Sequence, residues 1–202
     1  MKRNIFAIMI KYPEPGKVKT RLAKEIGDEK AADVYRQIAG RIMKNTLHTR
    51  EYERMVFYDP AGRLRDFEAW LPGETFILQT GNDVGEKMDN AIRDLLEMGA
   101  EKVVLTGADI PELTAEIMIQ AFVALDDADI VIGPARDGGY YLIGMKVPHP
   151  EIFRNIPWST EKVYQKTVDN MNRMGLSYRT GTTLSDLDRK EDYDKAIERR
   201  HS

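Results

Sequence analysis

The feature that most constrains this chain is a regular alternation of short apolar, β-branched runs with longer segments of helical period. Ile5–Ile10 reads as a buried first strand, and Asp28–His48 then places Ala31, Tyr35, Ile38, Ile42 and Met43 on one helical face. Arg54–Tyr58 is a second strand closed by Asp59-Pro60, a short helix carries Leu64, Phe67 and Trp70, and Glu74–Gln79 is a third strand. Asp83–Met98 repeats the helical pattern through Val84, Met88, Ala91, Ile92 and Leu95, and Lys102–Thr106 is a further strand. Thr114 is placed to cap a helix through Ile117, Ala121, Phe122 and Leu125. Asp129–Gly133 and Tyr140–Met145 read as strands, and Ser159 or Thr160 as the cap of a helix that follows Trp158. Ser177–Thr180 and Thr183–Leu187 are short strand candidates, and Glu191–Arg200 a terminal helix.

Such alternation predicts a three-layer α/β/α fold with a mostly parallel sheet. The exception is Asp129–Met145, where the tight Asp137-Gly138-Gly139 implies an antiparallel excursion or a sharp turn. No repeat, low-complexity tract or linker interrupts the chain, so one domain over residues 1–202 is expected. A composition of 42% hydrophobic and 31% charged residues belongs to an ordinary globular protein.

Composition also removes whole classes of chemistry. With no cysteine, disulfides, thiolate metal sites and a cysteine nucleophile are excluded. His48, His149 and His201 are scattered and form no zinc-binding spacing. A net charge of -3 gives no global pull toward nucleic acid or anionic membrane, so any anion site must be local. The run Ile5–Ile10 is too short to span a membrane and no cleavage site follows it, so a cytoplasmic location is expected.

In open parallel α/β sheets, ligands collect at the carboxyl ends of the strands. Three conspicuous segments fall there. The loop Lys11–Arg21 is stiffened by two prolines, Gly16 permits close backbone approach, and Lys17, Lys19 and Arg21 follow in quick succession. Those are the parts a phosphate chain requires, although a solvated loop with three ordinary charges has the same composition. It is not a P-loop, because Gly-x-x-x-x-Gly-Lys-Ser/Thr is absent.

Asp109 follows a buried strand in Thr106-Gly107-Ala108-Asp109-Ile110-Pro111, where it could hold a divalent cation (Mg2+ or Mn2+) bridging phosphates, or simply bond its own turn. In Gly133–Tyr141 the paired Gly138 and Gly139 either form a tight turn or leave room for a sugar or acceptor, with Asp137 contacting hydroxyls or acting as base. Tyr140 and Tyr141 could wall that pocket or belong to the core. Gly85-Glu86-Lys87-Met88 opens a helix whose N-terminus could face a ligand, though helix surface is the simpler fate of Glu86 and Lys87. Asp186 and Asp188, ahead of Glu191 and Asp192, could complete a metal site begun by Asp109 or favour the start of the last helix.

Together these segments resemble a family across nearly the whole chain. The run Lys-Tyr-Pro-Glu-Pro-Gly-Lys-Val-Lys-Thr-Arg-Leu, then Gly-Glu-Lys-Met, Gly-Ala-Asp-Ile-Pro-Glu-Leu, Gly-Pro-Ala-Arg-Asp-Gly-Gly-Tyr-Tyr-Leu-Ile-Gly and Ile-Pro-Trp-Ser-Thr is similar to the prokaryotic radical-SAM/selenodomain-associated transferase 1 proteins. These belong to the glycosyltransferase-A-like, nucleotide-diphospho-sugar transferase superfamily. The resemblance implies a Rossmann-like sheet, donor phosphates held by Gly16, Lys17, Lys19 and Arg21, and a metal at Asp109. The superfamily's usual Asp-x-Asp is incomplete because Gly107 stands where the first aspartate would be, which makes Asp188 or Asp186 the second-ligand candidate. The similar guanylyltransferases and molybdopterin nucleotidyltransferases share this single-Asp arrangement.

Three functions are therefore expected in order. The first is metal-dependent glycosyl transfer from a nucleoside-diphosphate sugar to a small-molecule acceptor, with Asp137 on the acceptor side. The second is nucleotidyl transfer from a nucleoside triphosphate with release of pyrophosphate. The third is a nucleotide-binding module without catalysis.

Overall fold

The computed structural model describes residues 3–47 and 49–187. Its sheet has seven strands: β1 (Asn4–Lys11), β2 (Glu53–Asp59), β3 (Phe76–Leu78), β4 (Lys102–Gly107), β5 (Ile130–Pro134), β6 (Tyr140–Met145) and β7 (Tyr178–Thr180). Six helices accompany it: α1 (Thr20–Ile26), α2 (Asp28–Asn45), α3 (Leu64–Trp70), α4 (Val84–Glu97), α5 (Ala115–Ala124) and α6 (Val163–Arg173). The strands lie in the order β3-β2-β1-β4-β6-β5-β7. Only β6 runs antiparallel to its neighbours, which is the excursion implied by the Asp137 turn.

A strand in the middle of such a sheet is covered on both faces, which is why β1 is apolar at every position from Ile5 to Ile10 rather than alternating. Phe6, Ile8 and Ile10 enter one core with side chains of α1, α2, α3 and α5. Ile5, Ala7 and Met9 face the other, with α4 and residues of α6. Three layers result. The helix caps are local: Thr114 accepts the Ile117 amide, and Asp83 accepts that of Glu86, whose carboxylate in turn accepts the amide of Asn82 just before the cap.

Three boundaries differ from expectation. Arg21 lies inside α1 rather than in the loop. Neither Ser159 nor Thr160 caps α6, whose first turn follows Lys162 without a side-chain cap; Thr160 instead bonds Pro157 O and the Lys162 amide within its own turn. Thr183–Leu187 forms no strand, contributing only a single bridge between Leu184 and Ala135. The expected terminal helix Glu191–Arg200, with His48 and His201, lies outside the described residues. Among the described residues no helix is long and apolar enough to cross a membrane.

From β1 the chain steps outward to β2 and β3, then returns through α4 on the opposite face to β4, on the other side of β1. The carboxyl ends of β1 and β4 therefore flank the point where strand order reverses, the place at which open α/β sheets bind their ligands.

Candidate functional site

The loop leaving β1 is held by its neighbours before it reaches Asp109. The Lys11 amide donates to the Tyr35 hydroxyl at 3.0 Å and the Tyr12 amide to Asp59 O at 2.8 Å. Guanidinium groups of Arg36 and Arg63 lie 5.8 and 4.9 Å from the Tyr12 ring, and Arg63 also pairs with Glu14 at 3.1 Å. This first half of the loop is therefore rigid. Gly16 follows at φ 74°, the left-handed region that glycine enters without cost.

Lys19, at the start of α1, also adopts left-handed geometry (φ 47°, ψ 43°), uncommon for a residue with a side chain. That turn sends the side chain inward until only 2% of it is exposed, and its Nζ meets Asp109 Oδ1 at 2.6 Å. Lys17 and Arg21 stay exposed. The three cations of the loop thus divide into one that supports Asp109 and two on the rim.

Asp109 stands just past β4 with half of its side chain open to solvent. A Cβ placed on Gly107 would lie 3.8 Å from Asp109 Oδ2, so the glycine leaves space beside the carboxylate where a second acidic side chain would otherwise begin. The late segment returns to this point, with the Leu187 amide 3.4 Å from Asp109 O. Asp188, the expected second ligand, lies outside the described residues, and among those described no cluster of three or more acidic or histidine side chains could cage a metal. The donor set fits a cation that arrives with phosphates, since magnesium commonly takes one or two carboxylates and draws its other ligands from phosphate and water.

Two further groups sit at this end of the sheet. The Tyr35 phenol is driven far above its ordinary range by burial first, then by the charge of Asp109, with Asp59 adding to it. Lys87, in the first turn of α4, pairs with Asp59 at 3.3 Å. Lys87, expected on the helix surface, is instead partly buried against the end of β2.

The β5–β6 turn closes on itself. Gly139 N donates to Asp137 Oδ1 at 2.9 Å, and Ala135 N to Gly139 O at 3.0 Å. Gly138, at φ 89°, has no open room beside it: a Cβ there would lie 2.2 Å from Glu161 O. Its neighbour is the Pro157–Lys162 segment, anchored in turn by Trp158, whose ring would lie 2.5 Å from a Cβ on Gly85 at the start of α4. Tyr140 is partly buried, packing against Trp158 with its hydroxyl enclosed, and burial drives its ionisation above the phenol range. The room expected around Gly138 is filled by the chain itself. Arg136 and Asp137 are the exposed residues of this turn.

A profile of the family described as "Uncharacterized protein conserved in bacteria (DUF2064)" matches residues 42–160. A crystal structure from Desulfovibrio desulfuricans G20, of a protein provisionally named a nucleotide-diphospho-sugar transferase, shares 37% identity and a TM-score of 0.91, covering 97% of this chain and 87% of its own. CMP:2-keto-3-deoxy-manno-octonic acid synthetase, complexed with CTP, superposes at TM-score 0.62 with 10% identity over 100% of both chains. Rv0371c from Mycobacterium tuberculosis H37Rv, complexed with manganese, gives 0.54 at 13% identity over 98% of this chain and 99% of its own. The last two show the shared fold alone. No curated protein matches in sequence.

Proposed function

This chain belongs to the DUF2064 family, within the nucleotide-diphospho-sugar transferase superfamily, and we propose that it is a one-domain, metal-dependent glycosyltransferase using a nucleoside-diphosphate sugar and a small-molecule acceptor. The observation that carries this reading is the pair between Lys19 and Asp109 at 2.6 Å, formed across the switch point between β1 and β4 with the carboxylate half open. The 37% identical relative, named for this donor class, supports it.

In this reading the donor diphosphate lies against the backbone from Gly16 to Lys19, with Lys17 and Arg21 closing on it from the rim. Asp109 holds a magnesium or manganese ion, which would offset charge developing on the leaving phosphate. Lys19 keeps the Asp109 carboxylate in place. Asp137 serves on the acceptor side: one oxygen is tied to the Gly139 amide, and the other receives the proton of the attacking hydroxyl.

Nucleotidyl transfer is the second reading, favoured by the lone carboxylate, since Gly107 occupies the position of a first aspartate. A thermal-shift panel of nucleoside-diphosphate sugars and nucleoside triphosphates, with and without Mg2+ or Mn2+, separates them. A ligand at a hundred times its dissociation constant stabilises by about 2.7 kcal/mol. Metal-dependent stabilisation by a diphospho-sugar and by no triphosphate is expected; the reverse pattern transfers the assignment to nucleotidyl transfer. Stabilisation without turnover of any donor would leave only a binding module.

A further inference from the structure

Arg136 stands beside Asp137 in a turn whose backbone is fixed on two sides. Its amide donates to Leu184 O at 3.0 Å, the Leu184 amide returns to Pro134 O at 3.1 Å, and Gly138 lies against the backbone of Glu161. The guanidinium is not fixed in this way. The residue is exposed, and among the described residues its side chain forms no hydrogen bond or ion pair. The adjacent Asp137 carboxylate bonds the Gly139 amide instead. A planar group with five unmatched donors, rooted in a rigid turn, suits a phosphate or a carboxylate, which it can meet with two parallel hydrogen bonds.

The topology puts this cation on the other side of Asp109 from Lys17 and Arg21, which follow β1. In the strand order β1-β4-β6-β5, Asp109 follows β4 and the Arg136 turn follows β5, two strands further on. At about 4.8 Å per strand, the ends of β1 and β5 lie roughly 14 Å apart, wider than one diphosphate. The link to Asp109 is short. Leu184, bonded to Arg136, is three residues from Leu187, whose amide meets Asp109 O at 3.4 Å, and three residues span at most about 11 Å. Arg136 therefore borders the Asp109 end from the side opposite the β1 loop, where a second anion would have to bind.

We propose that the acceptor carries a phosphate or carboxylate of its own, and that Arg136 binds this group and so selects the acceptor. The inference rests on the transferase reading above, with Asp137 on the acceptor side, and adds the acceptor's chemical class to it. The reacting hydroxyl and the anionic group belong to one small molecule, held at two points by neighbouring residues of one turn.

Three probes that share one ring and differ in charge test this by isothermal titration calorimetry: glucose, glucose 6-phosphate and glucuronate. Each is titrated into the full-length protein saturated with Mg2+ and the nucleoside diphosphate that stabilises it most, so that the donor end is already filled. At least one anionic probe should bind about tenfold or more tighter than glucose, and the tighter of the two tells phosphate from carboxylate. Arg136→Gln should remove that preference and Arg136→Lys should keep part of it. Arg65→Gln, at an exposed arginine of α3, should leave it unchanged. Equal binding of neutral and anionic probes, no binding included, overturns the inference and leaves the donor reading intact; so does a preference that survives Arg136→Gln. If no nucleoside diphosphate or diphospho-sugar stabilises the protein, the donor reading fails, and the titrations are run without nucleotide. An Arg136-dependent preference there still supports the anion site, and its absence overturns that as well.

Discussion

Two ion pairs in this protein are nearly identical by geometry and lie at opposite ends of the sheet. Lys102, at the amino end of β4, meets Asp126 at 2.6 Å, with 7% of the lysine and 54% of the aspartate side chain exposed. Lys19, at the carboxyl end of β1, meets Asp109 at 2.6 Å with 2% and 50% exposed. Their settings differ. The Lys102 ammonium also bonds Phe122 O in the last turn of α5, where the helix dipole favours a cation. Arg54, at the amino end of β2, does the same for α2, donating to Met43 O and Thr46 O while pairing with Glu74. Cations at that end therefore close helix termini. The pair at the other end stands in left-handed backbone at the strand-order reversal. An enclosed lysine beside a half-open carboxylate does not by itself mark a site; its place in the topology does.

The largest effect should come from the structural end. Arg54→Met leaves Glu74 almost buried without its partner and strips two helix carbonyls of their donor, so stability should fall by about 3–5 kcal/mol in urea unfolding. Ligand-induced stabilisation per folded molecule should be unchanged. If Arg54→Met abolished nucleotide binding while the protein remained folded, the division between the two ends would fail.

Lys102→Met should cost less, about 1–3 kcal/mol, mainly because Phe122 O loses its donor. It is also the control for the opposite pair, since it removes an ammonium of the same geometry. Mn2+ affinity should not change. A change in Mn2+ affinity would mean that metal binding follows net charge, with nothing particular to Asp109.

Asp109→Asn keeps an acceptor for the enclosed Lys19 ammonium but removes its countercharge, so the ligand-free protein should lose about 1–3 kcal/mol. The metal-dependent part of nucleotide stabilisation should disappear as well. Persistence of that metal dependence would remove Asp109 from the site.

The sheet was legible because its signals are periodic and local: β1 and β4 are continuous apolar runs, and Thr114 and Asp83 mark their helices within a few residues. The antiparallel β6 was legible through one turn, Asp137-Gly138-Gly139. Contacts between distant segments were not. Nothing near Lys19 announces that it will turn left-handed and reach a residue ninety positions away, and its neighbours Lys17 and Arg21 look the same in sequence yet stay exposed. Gly138 read equally well as open room, because only the fold brings the backbone of Glu161 against it.

The smallest effect should be at Lys87, and it tests how far the functional end extends. Lys87 pairs with Asp59 at 3.3 Å, with 21% and 29% of the side chains exposed, at the same end of the sheet as Asp109. A partly exposed pair with no helix carbonyl in its hydrogen bonding contributes at most about 1 kcal/mol, so Lys87→Met should barely move the urea midpoint. What it should move is salt dependence. Asp59 also holds the Tyr12 amide through its backbone oxygen, and its charge is among those that raise the buried Tyr35 phenol. Without Lys87 this end of the sheet loses a cation, so any nucleotide stabilisation should weaken, and more at low salt than at high salt. A Lys87→Met protein whose nucleotide response matches wild type at low and high salt would place Lys87 with Lys102, as a structural cation that merely lies near the site.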